Sequence, residues 1–452
     1  MHVPALPIAA RRLGRLSTRP ALAIAALLVV LMTASAFLQA GRSAHAHGRL
    51  SADEKAYLRL ARDLDERHNW ADLGLKQPFR WSPGTPMLFA GVAAVTGAPV
   101  DRDTALHVQT VVGTLLVPAA FLLALALAGP IAGLVAAAAV AFYAPLIRAS
   151  STAGTEPLGA LMIVLSALAL VLALRRGRPA GFAVAGAVLG AATLVRGDLL
   201  PVAVLLPVGT GLAVARRARA RAGLRAGAAM LAGVAVLIVP WSAFASAHVH
   251  HLVPVTDGGP ANLFVGTYLP ADGTLFGVKR AFAAQTRRVH PSQRHVPTFK
   301  LPEQMVLDAV AARYPRSSRT AALRAAASDN LRRYALGRPV AFAGMEARKL
   351  WRMWGSAYAG SQGPPGAVAT WEHRLLAALA LLGLAGGLVV GRDRRLALLA
   401  ALIVLTTAVD VAFVSEARHA VRLVPVLVAA GAAGWWTVLR RGRDQPAART
   451  RA

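Results

Sequence analysis

Residues 51–64, SADEKAYLRLARDL, carry two neighbouring carboxylates, Asp53 and Glu54, in a chain with only 21 Asp plus Glu against 50 Lys plus Arg. A carboxylate held beside a hydroxyl takes its proton as the oxygen attacks an electrophile. Further along, Glu156 stands in RASSTAGTEP (148–157), and Arg196 and Asp198 flank Gly197 in LVRGDLLP. SEARHAVRLVP (415–425) then holds Glu416, Arg418, His419 and Arg422. Arginine suits a phosphate, which it grips through paired, charge-assisted hydrogen bonds. The 51–64 stretch also has a purely structural reading. Ser51 followed by Glu54 is a capping-box pattern, acids in a first turn suit the helix dipole, and Tyr57, Leu60, Ala61 and Leu64 recur at helical spacing. Local sequence leaves base and cap both open, so the elements that carry these residues must decide.

Composition fixes what those elements are. Hydrophobic residues make up 56% of the 452, mean hydropathy is +0.50, and charged residues are 16%. Apolar runs long enough to cross a bilayer recur along the chain, and runs of that kind are accommodated as helices. The net charge of +29 lies in short clusters between the runs. Membrane topology puts positive charge there, so the basicity implies no nucleic-acid partner. Only Lys55, Lys76, Lys279, Lys300 and Lys349 are lysines; all other basic side chains except histidine are arginine. Cysteine is absent, which excludes disulfides and Cys-based zinc or redox sites.

The spans read as residues 20–40, 103–127, 130–147, 157–174, 179–195, 199–215, 224–245, 372–391, 396–414 and 420–439. A shorter apolar piece, 84–97, has a length typical of interfacial or re-entrant segments. If it crossed, RRGR (175–178) and RRARARAGLR (216–225) would face the side opposite the N-terminal arginines Arg11, Arg12, Arg15 and Arg19. If it lies along the surface, these clusters, GRDRR (391–395) and RRGR (440–443) all face the cytoplasm, as the positive-inside rule requires. The expectation is therefore an all-α polytopic protein of the plasma (inner) membrane, with ten spans and both termini cytoplasmic. The run 21–38, with arginines before it and SAHAHG after it, also fits a cleaved signal; so many spans behind it favour a retained first span.

This threading divides the chain into a basic tail and first span (1–40), a first external loop (41–102), a six-span bundle (103–245), a large external loop (246–371), three C-terminal spans (372–439) and a basic tail (440–452). Within the large loop, 303–313 and 319–336 read as amphipathic helices. Segment 340–358, with Phe342, Leu350, Trp351 and Trp354 near basic residues, reads as a helix in the membrane interface. HVHH (248–251) lacks acids at ligand spacing and reads as solvated loop. Asp410 falls inside the ninth span near its outer end, where it is a functional candidate or the partner of a nearby arginine.

The acids and arginines named first thus converge on the extracytoplasmic face, while the spans themselves are nearly free of charge. A sugar carried on a polyprenyl phosphate presents its anomeric carbon at that depth. A carboxylate would deprotonate an acceptor hydroxyl there, and arginines would offset charge developing on the departing phosphate.

The ordered set of pieces resembles the GT-C superfamily of membrane glycosyltransferases, and within it the family 39 group of protein O-mannosyltransferases and aminoarabinose transferases. DEKAYLRLARDL resembles that group's first external loop, and PFRWSPGTPMLF its entry to a juxtamembrane helix. TAGTEP stands where the group has a second external acid, and LVRGDLLP resembles its Leu-Thr-Arg-Pro-Glu segment. VPW (239–241) and VPVTDGGPANLFVG (253–266) resemble the start of its large loop, and RHAVRLVPVL its last-span Arg-Tyr-Pro pattern. The resemblance implies a GT-C-like bundle and a transferase moving a hexosyl or pentosyl group from a polyprenyl-phosphate donor. It implies Asp53 as base with Glu54 assisting, and Glu156 orienting acceptor or base. Arg80, Arg148, Arg196, Arg418, His419 and Arg422 would hold the lipid phosphate. Ser242 and Ala243 after Trp241, and Gly266-Thr267, depart from the group's Arg-Asn and Gly-Asn, and bear on sugar and acceptor specificity.

The implied partners are the bilayer, the lipid-linked sugar and a protein, glycan or lipid acceptor. No cofactor is required; a divalent cation is compatible but not favoured. A transporter or flippase for a lipid-linked or anionic substrate is the alternative. It should place polar groups near the bilayer midplane, whereas here they gather at one face. A non-catalytic scaffold would leave the acid pair as a cap and nothing more.

Overall fold

Every run read as a span becomes helix in the computed structural model, which describes residues 18–45, 48, 50–70, 77–216, 218–358 and 365–443. Arg11, Arg12 and Arg15, and the tail beyond Arg443, lie outside the described residues. The N-terminal half comprises α1 (Thr18–His45), α2 (Ala52–Arg67), α3 (Gly84–Thr96), α4 (Arg102–Thr114), α5 (Leu116–Ala128), α6 (Pro130–Ala141), α7 (Ala144–Ser150), α8 (Glu156–Arg176), α9 (Pro179–Val195), α10 (Leu200–Ala215) and α11 (Ala220–Val249). The remainder comprises α12 (Gly259–Thr267), α13 (Leu275–Val289), α14 (Glu303–Ala311), α15 (Arg319–Asn330), α16 (Pro339–Trp354), α17 (Ala367–Gly386), α18 (Arg394–Ala412), α19 (Ala417–Val421) and α20 (Val424–Arg443).

Among the described residues, seven of the expected spans are long and apolar enough to cross a membrane alone, with α4 and α5 forming one of them. An eighth is reached if α6 and α7, bent by 63°, form a single broken span. The bend falls at Phe142–Tyr143, ahead of Pro145, whose ring nitrogen has no hydrogen to continue the ladder. It is fixed from outside: Tyr143 OH meets His373 Nδ1 at 2.5 Å, and the Ala144 N–H donates to Glu372 at 3.1 Å. The segment expected at 179–195 is the 17-residue α9, and the last expected span is interrupted between α19 and α20.

The charge clusters separate along the bundle. Helix α8 begins at Glu156 and ends in Arg175 and Arg176, which puts these groups roughly 30 Å apart. At the basic end, Arg394 donates to the Leu174 carbonyl at 3.4 Å, Arg395 to that of Leu127 at 3.3 Å, and Arg441 to that of Val390. The clusters 175–178, 391–395 and 440–443 therefore share one end. Asp53, Glu156, Arg196, Asp198 and Arg418 share the other.

At that second end α3 lies against α2, burying Thr85, Phe89 and Ala93 and leaving Val95 exposed. With 13 residues it is too short to cross. The large loop folds over the same end around its own core, in which Phe264, Val278, Phe282, Leu307 and Leu323 pack together. Its expected helices are α14 and α15, the latter continued by a π turn over Leu331–Leu336. The expected interfacial helix is α16. Leu350 and Trp351 are exposed, while Lys349 turns inward, fully buried, to donate to the Gly266 carbonyl and to Glu346.

Candidate active site

The polar end encloses a cavity of about 870 Å³ between the bundle and the large loop. Asp53, Glu54, Glu156, Arg80, Arg196, Arg418 and His419 all line it. Each reaches the cavity from a helix end or a turn, where backbone groups are free to be bonded by side chains.

Asp53 sits in the first turn of α2, whose start is a complete capping box: the Ser51 hydroxyl accepts from the Glu54 N–H at 3.3 Å, and the Ser51 N–H donates to Glu54 Oε2 at 2.7 Å. Glu54 Oε1 accepts from the buried Ala153 N–H at 2.9 Å. Both Glu54 oxygens are thus engaged by main chain. Its geometry is that of a structural tie at the cavity wall, beside the expected base. Asp53 is different: its side chain is 38% exposed, and Oδ2 accepts from the Arg418 guanidinium at 3.0 Å. Arg418 is also paired with Glu416 at 3.0 Å.

The Ala153–Glu156 turn is set by the Glu54 tie and by Gln109, which donates to the Gly154 carbonyl. Glu156, buried at the start of α8, lies 3.6 Å from Arg196. Arg196 caps the end of α9 and spreads over three partners: Glu156, Thr155 Oγ1 at 3.0 Å and Asp198 at 2.8 Å. Its turn is fixed by Ser82, whose hydroxyl accepts from the Gly197 N–H at 3.0 Å.

Arg422 does not line the cavity. It is fully buried and clamped between Asp198, at 2.9 Å, and Asp410, at 2.5 Å. Both ends of its guanidinium, expected from sequence to hold phosphate, are matched to carboxylates. The pairing of Asp410 with a nearby arginine is as anticipated. Arg148 is half-buried beside Glu372, at the bend between α6 and α7, and is not among the residues that line the cavity. Arg80 does reach it, held by Glu303 of the large loop at 2.8 Å and stacked over Trp81.

Several lining residues make contacts that their local sequence does not show. Asp198 joins Arg196 to Arg422, yet only its spacing from Arg196 hints at a role. Tyr57 belongs by spacing to the apolar face of α2; burial and the neighbouring Asp53 carboxylate push its phenol well above the ordinary range. Burial likewise raises Tyr358, which enters from the end of the large loop. Glu303 and Arg324 come from that loop and carry no local signal.

Among the described residues, no three His, Asp or Glu side chains are grouped to hold a metal ion. The HVHH stretch is not without an acid, since His251 lies 3.5 Å from Asp257. The motif departures sit in packing: Ser242 donates to the Val253 carbonyl at 3.0 Å, and Trp241 to that of Val255 at 2.8 Å. Gly266 lies so close to the Phe413 carbonyl that a Cβ would clash with it.

No protein-family model matches the chain, and no curated protein matches it by sequence. Solved structures do match in fold. The apo oligosaccharyltransferase of Archaeoglobus fulgidus aligns with 92% of this chain and 52% of its own, at TM-score 0.54 and 14% identity. The AglB oligosaccharyltransferase of the same organism, solved with an inhibitory peptide and a dolichol-phosphate, aligns with 93% of this chain and 52% of its own, at TM-score 0.52 and 12% identity. ArnT from Cupriavidus metallidurans, solved bound to undecaprenyl phosphate, aligns with 92% of this chain and 78% of its own, at TM-score 0.42 and 16% identity. The chain spans about half the length of the archaeal oligosaccharyltransferases it matches. This chain therefore shares the all-helical fold of the archaeal oligosaccharyltransferases it matches.

Proposed function

We propose that the protein transfers a sugar from a polyprenyl-phosphate donor to an acceptor hydroxyl at the extracytoplasmic membrane surface. The observation that carries this reading is Asp53, half-exposed in a cavity at the end of the bundle and bonded to Arg418 at 3.0 Å. A base and a phosphate-suited cation are thereby held side by side. The acceptor is a hydroxyl of protein, glycan or lipid, reached under the large loop 246–371. The first loop 41–102 supplies the base.

In the step itself, Asp53 takes the proton of the acceptor hydroxyl as its oxygen forms a bond to the anomeric carbon. The bond between that carbon and the phosphate oxygen breaks, and the lipid phosphate leaves with the electron pair. Arg418, offered to both Asp53 and the cavity, stabilises the charge that develops on the leaving oxygen. Arg196 and Arg80 give further positive potential at the walls. Glu156 holds Arg196 in orientation. Glu54 keeps the α2 start against the Ala153 turn, so that the base stands at a fixed place. The dolichol-phosphate bound to a protein of the same fold supports a lipid-phosphate donor.

The test is transfer by the purified full chain from undecaprenyl-phosphate-linked sugars. Asp53→Asn should abolish transfer while the protein stays folded; retained transfer would remove Asp53 as the base. Movement of labelled lipid across proteoliposomes, with no transfer, would favour the flippase reading.

A further inference from the structure

His419 follows Arg418 on the short helix α19 and is nearly fully buried, yet it lines the cavity. Its Nδ1 edge faces Asp410 Oδ1 at 3.8 Å, and that nitrogen has no hydrogen-bond partner among the described residues. Asp410 cannot turn away, because Arg422 holds the same oxygen at 2.5 Å. The opposite ring nitrogen, Nε2, is therefore the one left to the cavity, and it has no hydrogen bond among the described residues. The Asp410 oxygen is beyond hydrogen-bond distance, but its negative end lies on the Nδ1 side and through its field favours hydrogen on Nδ1, which leaves the Nε2 lone pair as an acceptor.

The charges around the ring decide what it accepts from. Arg196, Arg422 and Arg418 face His419, and burial with these cations pushes its pKa well below the ordinary range. The ring is thus neutral and brings no charge to a phosphate. A neutral acceptor nitrogen in a buried wall suits a hydroxyl. The phosphate is matched by the neighbouring Arg418, and in the donor the sugar is one bond from that phosphate.

We infer that His419, through the Nε2 that faces the cavity, accepts a hydrogen bond from a hydroxyl of the donor sugar and so reads the sugar and not the lipid phosphate. This rests on the donor class proposed above and assigns His419 a different role from the phosphate contact expected from sequence. His419 is a positioning and specificity residue in this scheme; it takes no proton.

The experiment compares binding of bare undecaprenyl phosphate with that of undecaprenyl-phosphate mannose, glucose and aminoarabinose to the purified full chain. The wild type should bind at least one sugar-linked lipid more tightly than the bare lipid. His419→Ala should weaken that binding by about tenfold, the size of one lost hydrogen bond, and leave bare-lipid binding unchanged. His419→Gln, which keeps an acceptor, should restore part of the preference. Equal weakening for bare and sugar-linked lipid would return His419 to the phosphate and overturn the inference. So would a wild type that prefers none of the sugars over bare lipid, a result that leaves the lipid-phosphate reading standing. Failure of the wild type to bind even bare lipid phosphate would instead defeat the donor reading itself. Unchanged thermal unfolding of both variants separates a binding effect from misfolding.

Discussion

Glu54 bonds the Ala153 N–H at 2.9 Å, tying the start of α2 to a turn 99 positions later in the chain. That bond sets Glu54 apart from its neighbour Asp53, which bonds Arg418 instead. Glu54→Ala removes the acceptor of two main-chain donors, one of them buried. Leaving a buried donor unsatisfied costs about 1–3 kcal/mol. The variant should unfold at lower temperature in detergent and lose activity in proportion to the disorder of the turn. Undiminished stability would show that the tie is idle.

Asp53→Asn should behave oppositely. The Asp53–Arg418 pair is about one-third exposed on each side, and pairs of that exposure contribute about 0–1 kcal/mol. Thermal stability should hardly move. Loss of a general base lowers turnover by about 100- to 10,000-fold. The ratio of the two effects, read by transfer assay and unfolding on one preparation, distinguishes base from cap.

Arg418 and Arg422 are four positions apart and should fail in different ways. Arg422 is fully buried between Asp198 and Asp410. Removing it strands the buried Asp410 carboxylate and leaves Asp198 with Arg196 alone, a loss of about 3–5 kcal/mol, so Arg422→Ala should express poorly or unfold early. Arg418 is one-third exposed, and Arg418→Ala should fold but bind lipid phosphate weakly. The measurement is yield and unfolding temperature beside undecaprenyl phosphate affinity for each variant.

These contrasts locate what the sequence could and could not reveal. Apolar runs and arginine clusters carry their information locally, so spans, the short α3 and the polar end were all readable. The capping box was readable too, because it closes within four residues. Whether Arg196, Arg148 or Arg422 faces a cavity is a long-range property. Arg422 is matched by Asp198, 224 positions away, and no local pattern encodes that pairing. Arg148 is drawn instead to the α6–α7 bend, where Pro145 and Glu372 set the geometry. Arg324 and Glu303 reach the cavity only because the large loop folds over it.

His419 gives the pH dependence a sign. Burial and three facing guanidiniums hold its pKa well below the ordinary value, which is about 6.5. In the unfolded chain it protonates near pH ~6.5; in the fold it resists until lower pH. The unfolded state therefore binds more protons in that window, and stability falls as pH drops below about 6.5 while remaining intact above it. His419→Gln should flatten this part of the curve. Unfolding temperatures of wild type and variant between about pH 8 and pH 5 check it, and parallel curves would argue against the neutral, buried ring.

Gly154 tests Glu156 without removing it. A Cβ at this position would clash with Glu156 Oε2 and come within 3.3 Å of Thr152 Oγ1. The carboxylate is the far end of a flexible side chain, so it can swing aside and the fold should survive. Swinging breaks the 3.6 Å approach to Arg196, and Arg196 then keeps only Thr155 and Asp198 as partners. Gly154→Ala should therefore lower transfer about as much as Glu156→Ala, with little change in unfolding temperature. If the Gly154→Ala substitution acts through Glu156, the double variant should be no worse than Glu156→Ala alone, because residues in contact are not additive. Additive losses would place the effect of Gly154 elsewhere, in the Gln109 bond to its carbonyl.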